Sequence, residues 1–471
     1  MISFNIRSAG YVVGRSVLKD LSGEIEDHKT TMIIGRSGGG KTTLILALTG
    51  ILTNLLEGWV DGEIILKQLD PLDPEDFKSI PKIVGAVLQD PDKQISMPTP
   101  WDEISFVLEN LGYPPEEIDR RVSQMLREAG LEHKAFHEIE KLSGGEKRRV
   151  TYAASVAHDP EIIILDEPTA SVDPWGIKTL RDFVRRYRGE KTIVIIEHKP
   201  DYFIDYVDKI IRIENGMIKE VYKPSERDYL EKKFSEYDQD LPSVSKTISN
   251  NKILETKDLV IGYDKPILKD ISIELYEKEI IVITGANGSG KTTLMKTLIG
   301  WLKPFDGEIK IYGRSMRKRK DLLKTFFYIS QQPDYMFLSN TVENELRSGR
   351  GLSEEILKMF PWRNILKENP YKISFGQRRW LSILLGLVYQ RKILMIDEPS
   401  AGLDPDLYKD LVRFLMSLVD KYNISLIIST HDPRIVRDLA HRVYHIDHVR
   451  NKIIEIDKEK ILKMMYEAAM S

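Results

Sequence analysis

The stretch IIGRSGGGKTTLILALTG (Ile33–Gly50) decides the fold, and the chain writes it a second time as VITGANGSGKTTLMKTLIG (Val282–Gly300). Each copy is led by a β-branched run, TTMIIG (Thr30–Gly35) or IIVITG (Ile280–Gly285), and followed by an apolar-periodic stretch. A strand, a Gly-rich turn and a helix in that order are what a parallel α/β sheet requires. Upstream, SVLKDLSGEI (Ser16–Ile25) and PILKDISIEL (Pro266–Leu275) give both copies the same strand-like lead-in. Two similar α/β domains are expected.

Composition bounds the rest. At roughly 100–200 residues per domain, a chain of 471 residues has room for more than one core, and the duplication narrows this to two halves. With 42% hydrophobic and 30% charged residues the chain reads as a soluble globular protein. A net charge of −3 supplies no field that would hold nucleic acid, so no nucleic-acid partner is expected and any anionic ligand must be held by local geometry. The absence of cysteine excludes disulfides, thiolate-held zinc and iron–sulfur clusters. There is no run of about 18 apolar residues to span a bilayer, and MISFNIRSAG (Met1–Gly10) lacks the layout of a signal peptide. A cytoplasmic location is expected, peripheral on a membrane only where a partner holds the chain there.

The first half closes near IENGMIKEVYKPS (Ile213–Ser225), where Asn-Gly separates two short strand-like runs. Glu226–Asn250 is polar, charged and short of aliphatics, which reads as a linker. The expected domains are therefore 1–225 and 251–471, joined by 226–250. The tail IDKEKILKMMYEAAMS (Ile456–Ser471) has the pattern of a terminal helix.

Gly35, Gly38, Gly40, Lys41 and Thr42, and again Gly285, Gly288, Gly290, Lys291 and Thr292, satisfy G-x-x-x-x-G-K-[ST], with Thr43 and Thr293 next in line. Glycines let the backbone wrap so that its N–H groups point at phosphate oxygens, and a helix N-terminus adds partial positive charge. Lys41 and Lys291 are expected on the β- and γ-phosphates, and Thr42 and Thr292 on Mg²⁺. Further along, EIIILDEP (Glu161–Pro168) and KILMIDEP (Lys392–Pro399) are apolar runs of strand length ending in paired carboxylates, which is where ligands sit in open parallel sheets. Asp166 and Asp397 are expected in the Mg²⁺ shell, and Glu167 and Glu398 beside the attacking water.

Between loop and carboxylates lie KLSGGEKRR (Lys141–Arg149) and KISFGQRRW (Lys372–Trp380), with Ser143 and Ser374 the same distance ahead of Asp166 and Asp397. Gly-rich loop, Ser-Gly-Gly-Glu signature and Asp-Glu strand together resemble the ATP-binding-cassette (ABC) ATPases, twice, over nearly the whole chain. The resemblance implies two tandem P-loop NTPase domains, each a RecA-like parallel core with an antiparallel β subdomain and a helical subdomain, binding ATP and Mg²⁺. It also implies that Gln89 in VLQDP and Gln331 in ISQQP sense Mg²⁺ and the attacking water, and that His198 in IIEHKP and His431 in ISTHDP contact the γ-phosphate. ASVD (Ala170–Asp173) and AGLD (Ala401–Asp404) match the D-loop. Tyr11 and Tyr263 resemble the aromatic that stacks on adenine, with an ordinary strand aromatic as the alternative.

In that family the signature of one cassette completes the site of the other, so the fused halves imply an intramolecular pseudo-dimer. One site would join Lys41, Asp166, Glu167 and His198 to Ser374, Gly376 and Gln377. The other would join Lys291, Asp397, Glu398 and His431 to Ser143, Gly144 and Gly145. Phe375 stands where the first signature glycine would be, and reads either as a brake on the first site or as tolerated drift.

Among uses of such an engine, VLQDPDKQIS (Val87–Ser96), with Gln94, resembles the ATPases of energy-coupling factor (ECF) transporters, which import vitamins or metal ions through integral membrane subunits. The second half departs from the pattern with Met336 at the Gln94 position. The alternative is a soluble ribosome-associated ATPase of the ABC-F type, against which the short linker with Pro242 argues. Zero cysteines exclude the iron–sulfur domain of the ribosome-recycling relatives and the zinc modules of the DNA-repair relatives. The basic run GRSMRKRKD (Gly313–Asp321) reads as a solvated strand-to-loop segment. Leu108–Leu131 reads as an amphipathic helical subdomain that is shorter in the second half, so the two docking surfaces are expected to be unequal.

Overall fold

The computed structural model describes residues 1–36, 38–88, 94–169, 172–198, 200–223, 241, 248–316, 319–348, 354–447 and 450–470, without the side chains of 319–320. Most of the expected linker, Gln89, Pro91, Asp92, and Ala170 and Ser171 of the first D-loop lie outside these residues. The chain forms two compact units, one of Met1–Val172 with Gly176–Asp238, the other of Asp173–Trp175 with Gln239–Ser471.

In the first unit β1 (Ile2–Gly10), β2 (Leu18–Ile25) and β4 (Trp59–Leu66) form an antiparallel sheet in the order β2-β1-β4. The core sheet has the order β5-β6-β7-β3-β8-β9, built from β3 (Thr30–Gly35), β5 (Val84–Val87), β6 (Ile162–Asp166), β7 (Thr192–Ile196), β8 (Lys209–Glu214) and β9 (Met217–Tyr222). All its pairings are parallel except the β8–β9 hairpin. Strands β6 and β7 are buried at every residue, as expected of a parallel strand covered on both faces.

The strand period divides these runs between two cores. Ile33, Ile162, Ile164, Val194 and Ile196 face the small sheet and the helix Lys41–Leu48. Met32, Ile163, Leu165, Ile193 and Ile195 face a core that takes in the helices Pro100–Asn110, Pro115–Glu128 and Gly144–Val156. Each buried aliphatic side chain contributes about 1.5–3 kcal/mol relative to an exposed one, so strands without a polar break are the simplest way to hold both layers.

The expected Asn-Gly turn joins β8 to β9, with positive φ at both Asn215 (51°) and Gly216 (77°). Gly216 is obligatory for a second reason: a Cβ there would lie 1.9 Å from the Val17 carbonyl oxygen, because the turn is pressed onto the entry to β2.

The second unit repeats the plan. β10 (Lys252–Gly262), β11 (Pro266–Ile271), β12 (Glu274–Tyr276), β14 (Asp306–Ile311) and β15 (Arg314–Ser315) make the antiparallel sheet. β13 (Ile280–Thr284), β16 (Phe326–Ile329), β17 (Ile393–Asp397), β18 (Ser425–Ser429), β19 (Arg442–Asp447) and β20 (Lys452–Ile456) make the core sheet, in the order β16-β17-β18-β13-β19-β20. Among the described residues its helical layer has the short helices Val342–Arg347 and Glu354–Met359, six residues each, ahead of Phe375–Val388. A helix covers Lys458–Met470, burying Ile461, Met465 and Ala469. Of the basic run, Arg314 and Ser315 form the exposed edge strand β15.

Candidate nucleotide sites

In both units the C-terminal ends of three adjacent parallel strands converge: β3, β6 and β7 in the first, and β13, β17 and β18 in the second. The Gly-rich loop leaves the first of these strands. Gly38 (φ 72°) and Gly40 (φ 102°) have left-handed backbone, and Gly288 (77°) and Gly290 (103°) repeat it. Lys41 and Lys291 open the following helices and are 4% and 7% exposed. Lys41 Nζ donates to the carbonyls of Gly35 and Arg36 at 3.0 Å each, and Lys291 Nζ to those of Gly285 and Ala286 at 2.8 and 3.1 Å. Each ammonium thus lies folded across its own loop, bonded to that loop's carbonyls.

The residue after each loop lysine meets the strand-end aspartate. Thr42 Oγ1 donates to Asp166 Oδ2 at 3.4 Å, and Thr292 Oγ1 to Asp397 Oδ2 at 2.7 Å. Asp166 Oδ1 is buried with no hydrogen-bond partner. Burial, then the Glu167 charge, push the Asp166 carboxyl up to about 6 against the pull of Lys41.

A buried carboxylate with an orphaned oxygen next to a threonine hydroxyl is an all-oxygen donor set suited to a hard divalent cation such as Mg²⁺. Among the described residues no group of three or more His, Asp or Glu could hold a metal alone.

Glu167 and Glu398 follow directly and have φ of 47° and 48°, the left-handed region that costs a non-Gly residue roughly 1–2 kcal/mol. Their amides donate to Ile196 and Ser429 carbonyls at 2.9 Å, which locks the turn. The reversal carries each glutamate to a histidine: His198 Nε2 lies 2.8 Å from Glu167 Oε1, and His431 Nδ1 lies 2.8 Å from Glu398 Oε1. Burial raises the Glu398 carboxyl, but His431 and then Lys291, at 4.0 Å, pull it below its usual value.

Sequence reading placed these residues near one another but missed several partners. Glu197 is buried, accepts from Thr169 Oγ1 at 2.7 Å and from the His198 amide at 2.8 Å, and is pushed up by burial. Thr430 occupies that place in the second unit and donates to Glu398 Oε2 at 2.9 Å. Arg379, fully buried, donates to the carbonyls of Ser330 (2.7 Å) and Gln331 and so ties the signature helix to the end of β16. Gln94 does a related job in the first unit, accepting from the Leu88 amide at 2.9 Å and donating to the Ala86 carbonyl at 2.8 Å. Gln331 itself is exposed.

Tyr11 and Tyr263 are 43% and 53% exposed, and Tyr11 OH lies 3.3 Å from Thr43 Oγ1, one residue beyond Thr42. The signature serines are exposed N-caps. Ser143 forms a capping box with Glu146, and Ser374 forms one with Gln377. Phe375 is the first residue of its helix, its ring lying 5.4 Å from the Arg379 guanidinium carbon.

Residues 18–170 and 268–401 match the ABC transporter family model. The chain belongs to that family: it is an ATP-binding ABC ATPase with two fused nucleotide-binding domains. It is 32% identical over 458 residues to a "Putative ABC transporter ATP-binding protein" of Sulfurisphaera tokodaii, covering 93% of this chain and 94% of that one. It is 29% identical over 473 residues to a "Putative HMP/thiamine import ATP-binding protein YkoD" of Bacillus subtilis, covering 91% and 86%. The solved structure "Model of ribosome-bound archaeal Pelota and ABCE1" superposes with a TM-score of 0.72 at 19% identity, covering 99% of this chain and 80% of that one. That likeness is one of fold alone.

The two capping boxes differ in charge, which sets a pH test. Burial raises the Glu146 carboxyl, but Lys134 at 2.5 Å and the Ser143 amide and hydroxyl hold it down at about 2, below the ordinary 4.5. A lowered carboxyl stabilises the fold above about pH 4.5, and that stabilisation disappears as pH falls toward 2. Glu146→Gln keeps the cap, as Gln377 does, and loses the ion pair. The variant is expected to be less stable by about 1–2 kcal/mol at pH 7, with the difference shrinking below about pH 4.5 and vanishing only below about pH 2, as read from thermal midpoints across that range.

Proposed function

We propose that this chain is the ATP-hydrolysing subunit of an ABC importer of ECF type, acting on separate integral membrane subunits. The observation that carries the hydrolytic part is the strained, histidine-bound glutamate beside the loop-facing aspartate, present in both units. For the import part, support comes from the likeness to the relative named for HMP/thiamine import and from Gln94 of the ECF-like pattern, which is bonded to Leu88 and Ala86 at the end of β5. The cargo class is then a vitamin or a transition-metal ion, taken in by the membrane components.

In this reading the loop N–H groups and Lys41 or Lys291 bind the ATP phosphates. Thr42 with Asp166, and Thr292 with Asp397, hold Mg²⁺, which when bound neutralises phosphate charge. Gln89 and Gln331 are assigned to sensing the ion and the attacking water. Glu167 and Glu398 polarise that water and accept its proton, while His198 and His431 fix the glutamate rotamer through the 2.8 Å contacts. Tyr11 and Tyr263 supply faces for adenine.

Each loop is completed by the other unit's signature: Ser374, Gly376 and Gln377 for Lys41, and Ser143, Gly144 and Gly145 for Lys291. A Cβ on Gly144 or Gly145 meets no atom within 4 Å, so the fold of their own unit does not demand glycine there. A phosphate brought against the backbone does. Phe375 stands at the position of Gly144.

Two measurements test this reading. With Phe375 read as a brake on the first site, Glu398→Gln is expected to lower steady-state ATP turnover several-fold more than Glu167→Gln; equal losses would remove the asymmetry. A tagged Glu167→Gln, Glu398→Gln double variant, pulled down with ATP from native membranes and ribosomes, is expected to bring an integral membrane subunit with it. Recovery with ribosomes and no membrane subunit would replace the transport reading with that of a translation factor.

A further inference from the structure

The strand register permits a position-by-position comparison of what surrounds the two metal-facing aspartates. Asp166 pairs across the sheet with Ile196, and Asp397 with Ser429. On the other side, Ala86 pairs with Ile164 two residues before Asp166, and Tyr328 pairs with Met395 two residues before Asp397. Two apolar neighbours in the first unit are thus two hydroxyl groups in the second.

Both hydroxyls are used. Ser429 Oγ donates to Asp397 Oδ1, and Tyr328 OH donates to Asp397 Oδ2 at 3.1 Å, alongside Thr292 at 2.7 Å. Asp397 accordingly accepts three hydroxyl hydrogen bonds, whereas Asp166 has a single long one from Thr42 and a buried, unpartnered oxygen. The Tyr328 ring is itself held edge-on by Trp301, centroids 5.5 Å apart, where the first unit has Ile51 after the matching glycine. Facing a carboxylate, which can only accept, the Tyr328 hydroxyl is the donor.

We propose that Tyr328 and Ser429 are positioning residues that fix the Asp397 carboxylate in one orientation, so that the second site takes up its metal–nucleotide complex more tightly than the first. The proposal rests on the reading of Thr292 and Asp397 as the metal-holding pair. A carboxylate has about four lone-pair positions, and three hydroxyl donors leave one of them free for a cation. Asp166 has no such brace and must be ordered when the ligand arrives. Ligand binding to an oriented group loses less conformational freedom, and removing a supporting hydrogen bond to a metal-holding residue typically costs 10–100-fold in metal affinity.

The test uses the full chain with Lys41→Ala, which leaves the second site to report alone, and Mn²⁺ with ADP as the probe, followed by electron paramagnetic resonance. Tyr328→Phe keeps the ring on Trp301 and removes only the hydroxyl. It is expected to weaken ADP-dependent Mn²⁺ binding by about tenfold while leaving ADP affinity in EDTA unchanged, and Ser429→Ala is expected to act in the same direction. Unchanged or tighter Mn²⁺ binding would overturn the proposal, tighter binding meaning that the hydroxyls compete with the ion. An equal loss of metal-free ADP affinity would also overturn it, by showing a general packing role. If the Lys41→Ala parent holds no ADP-dependent Mn²⁺ at all, the assignment of Thr292 and Asp397 fails first, and the proposal with it.

Discussion

Each unit depends on a carboxylate placed at the end of a strand that is apolar on both faces. In β6 and β17 every residue is buried up to and including Asp166 and Asp397. An ionised carboxylate there is costly unless charges and donors surround it. The rest of the constellation answers that cost: the loop lysine, the threonine after it, and a histidine delivered by the neighbouring strand. The left-handed turn at Glu167 and Glu398 belongs to the same solution. It takes the second acid off the strand line and out to the histidine, and stores backbone strain where a reacting group has to be aimed.

The scaffold is duplicated more faithfully than its polar filling. Around the first aspartate the sheet supplies Ile196 and Ala86, and the next layer is the buried Glu197 with Thr169. Around the second it supplies Ser429 and Tyr328, and the next layer is Thr430 on Glu398. The ends of strands β5 and β16 are also held differently, by Gln94 on Ala86 and Leu88 in one unit and by the buried Arg379 on Ser330 and Gln331 in the other. A pair of sites with one backbone plan can thereby differ in how firmly each holds its ligand, without any change of fold.

The sequence made the scaffold legible because its strongest signals are local. Unbroken Ile, Leu and Val runs declare buried parallel strands, and a Gly-rich loop ending in Lys-Thr declares a turn into a helix. The Asp-Glu pair at the end of each run is visible for the same reason. Tyr328 and Ser429 were not legible, because neither belongs to a motif and their role depends on pairing with a strand dozens of residues away. The φ of Glu167 and Glu398 leaves no compositional trace, since Glu is an unusual choice for left-handed backbone. Arg379 lies in the signature stretch KISFGQRRW without a motif role of its own, and only its burial beneath two backbone carbonyls sets it apart. Gln94 was noticed for its resemblance, whereas its contacts tie it to the end of β5.

The account rests on one chain holding two separate nucleotide sites, and the most direct check is the stoichiometry of a non-hydrolysable ATP analogue with Mg²⁺, measured by isothermal titration calorimetry on the full chain. Two molecules per chain are predicted, falling to one in Lys41→Ala, one in Lys291→Ala and none in the double variant. A single molecule per chain in the unaltered protein, lost with one lysine and indifferent to the other, would contradict it.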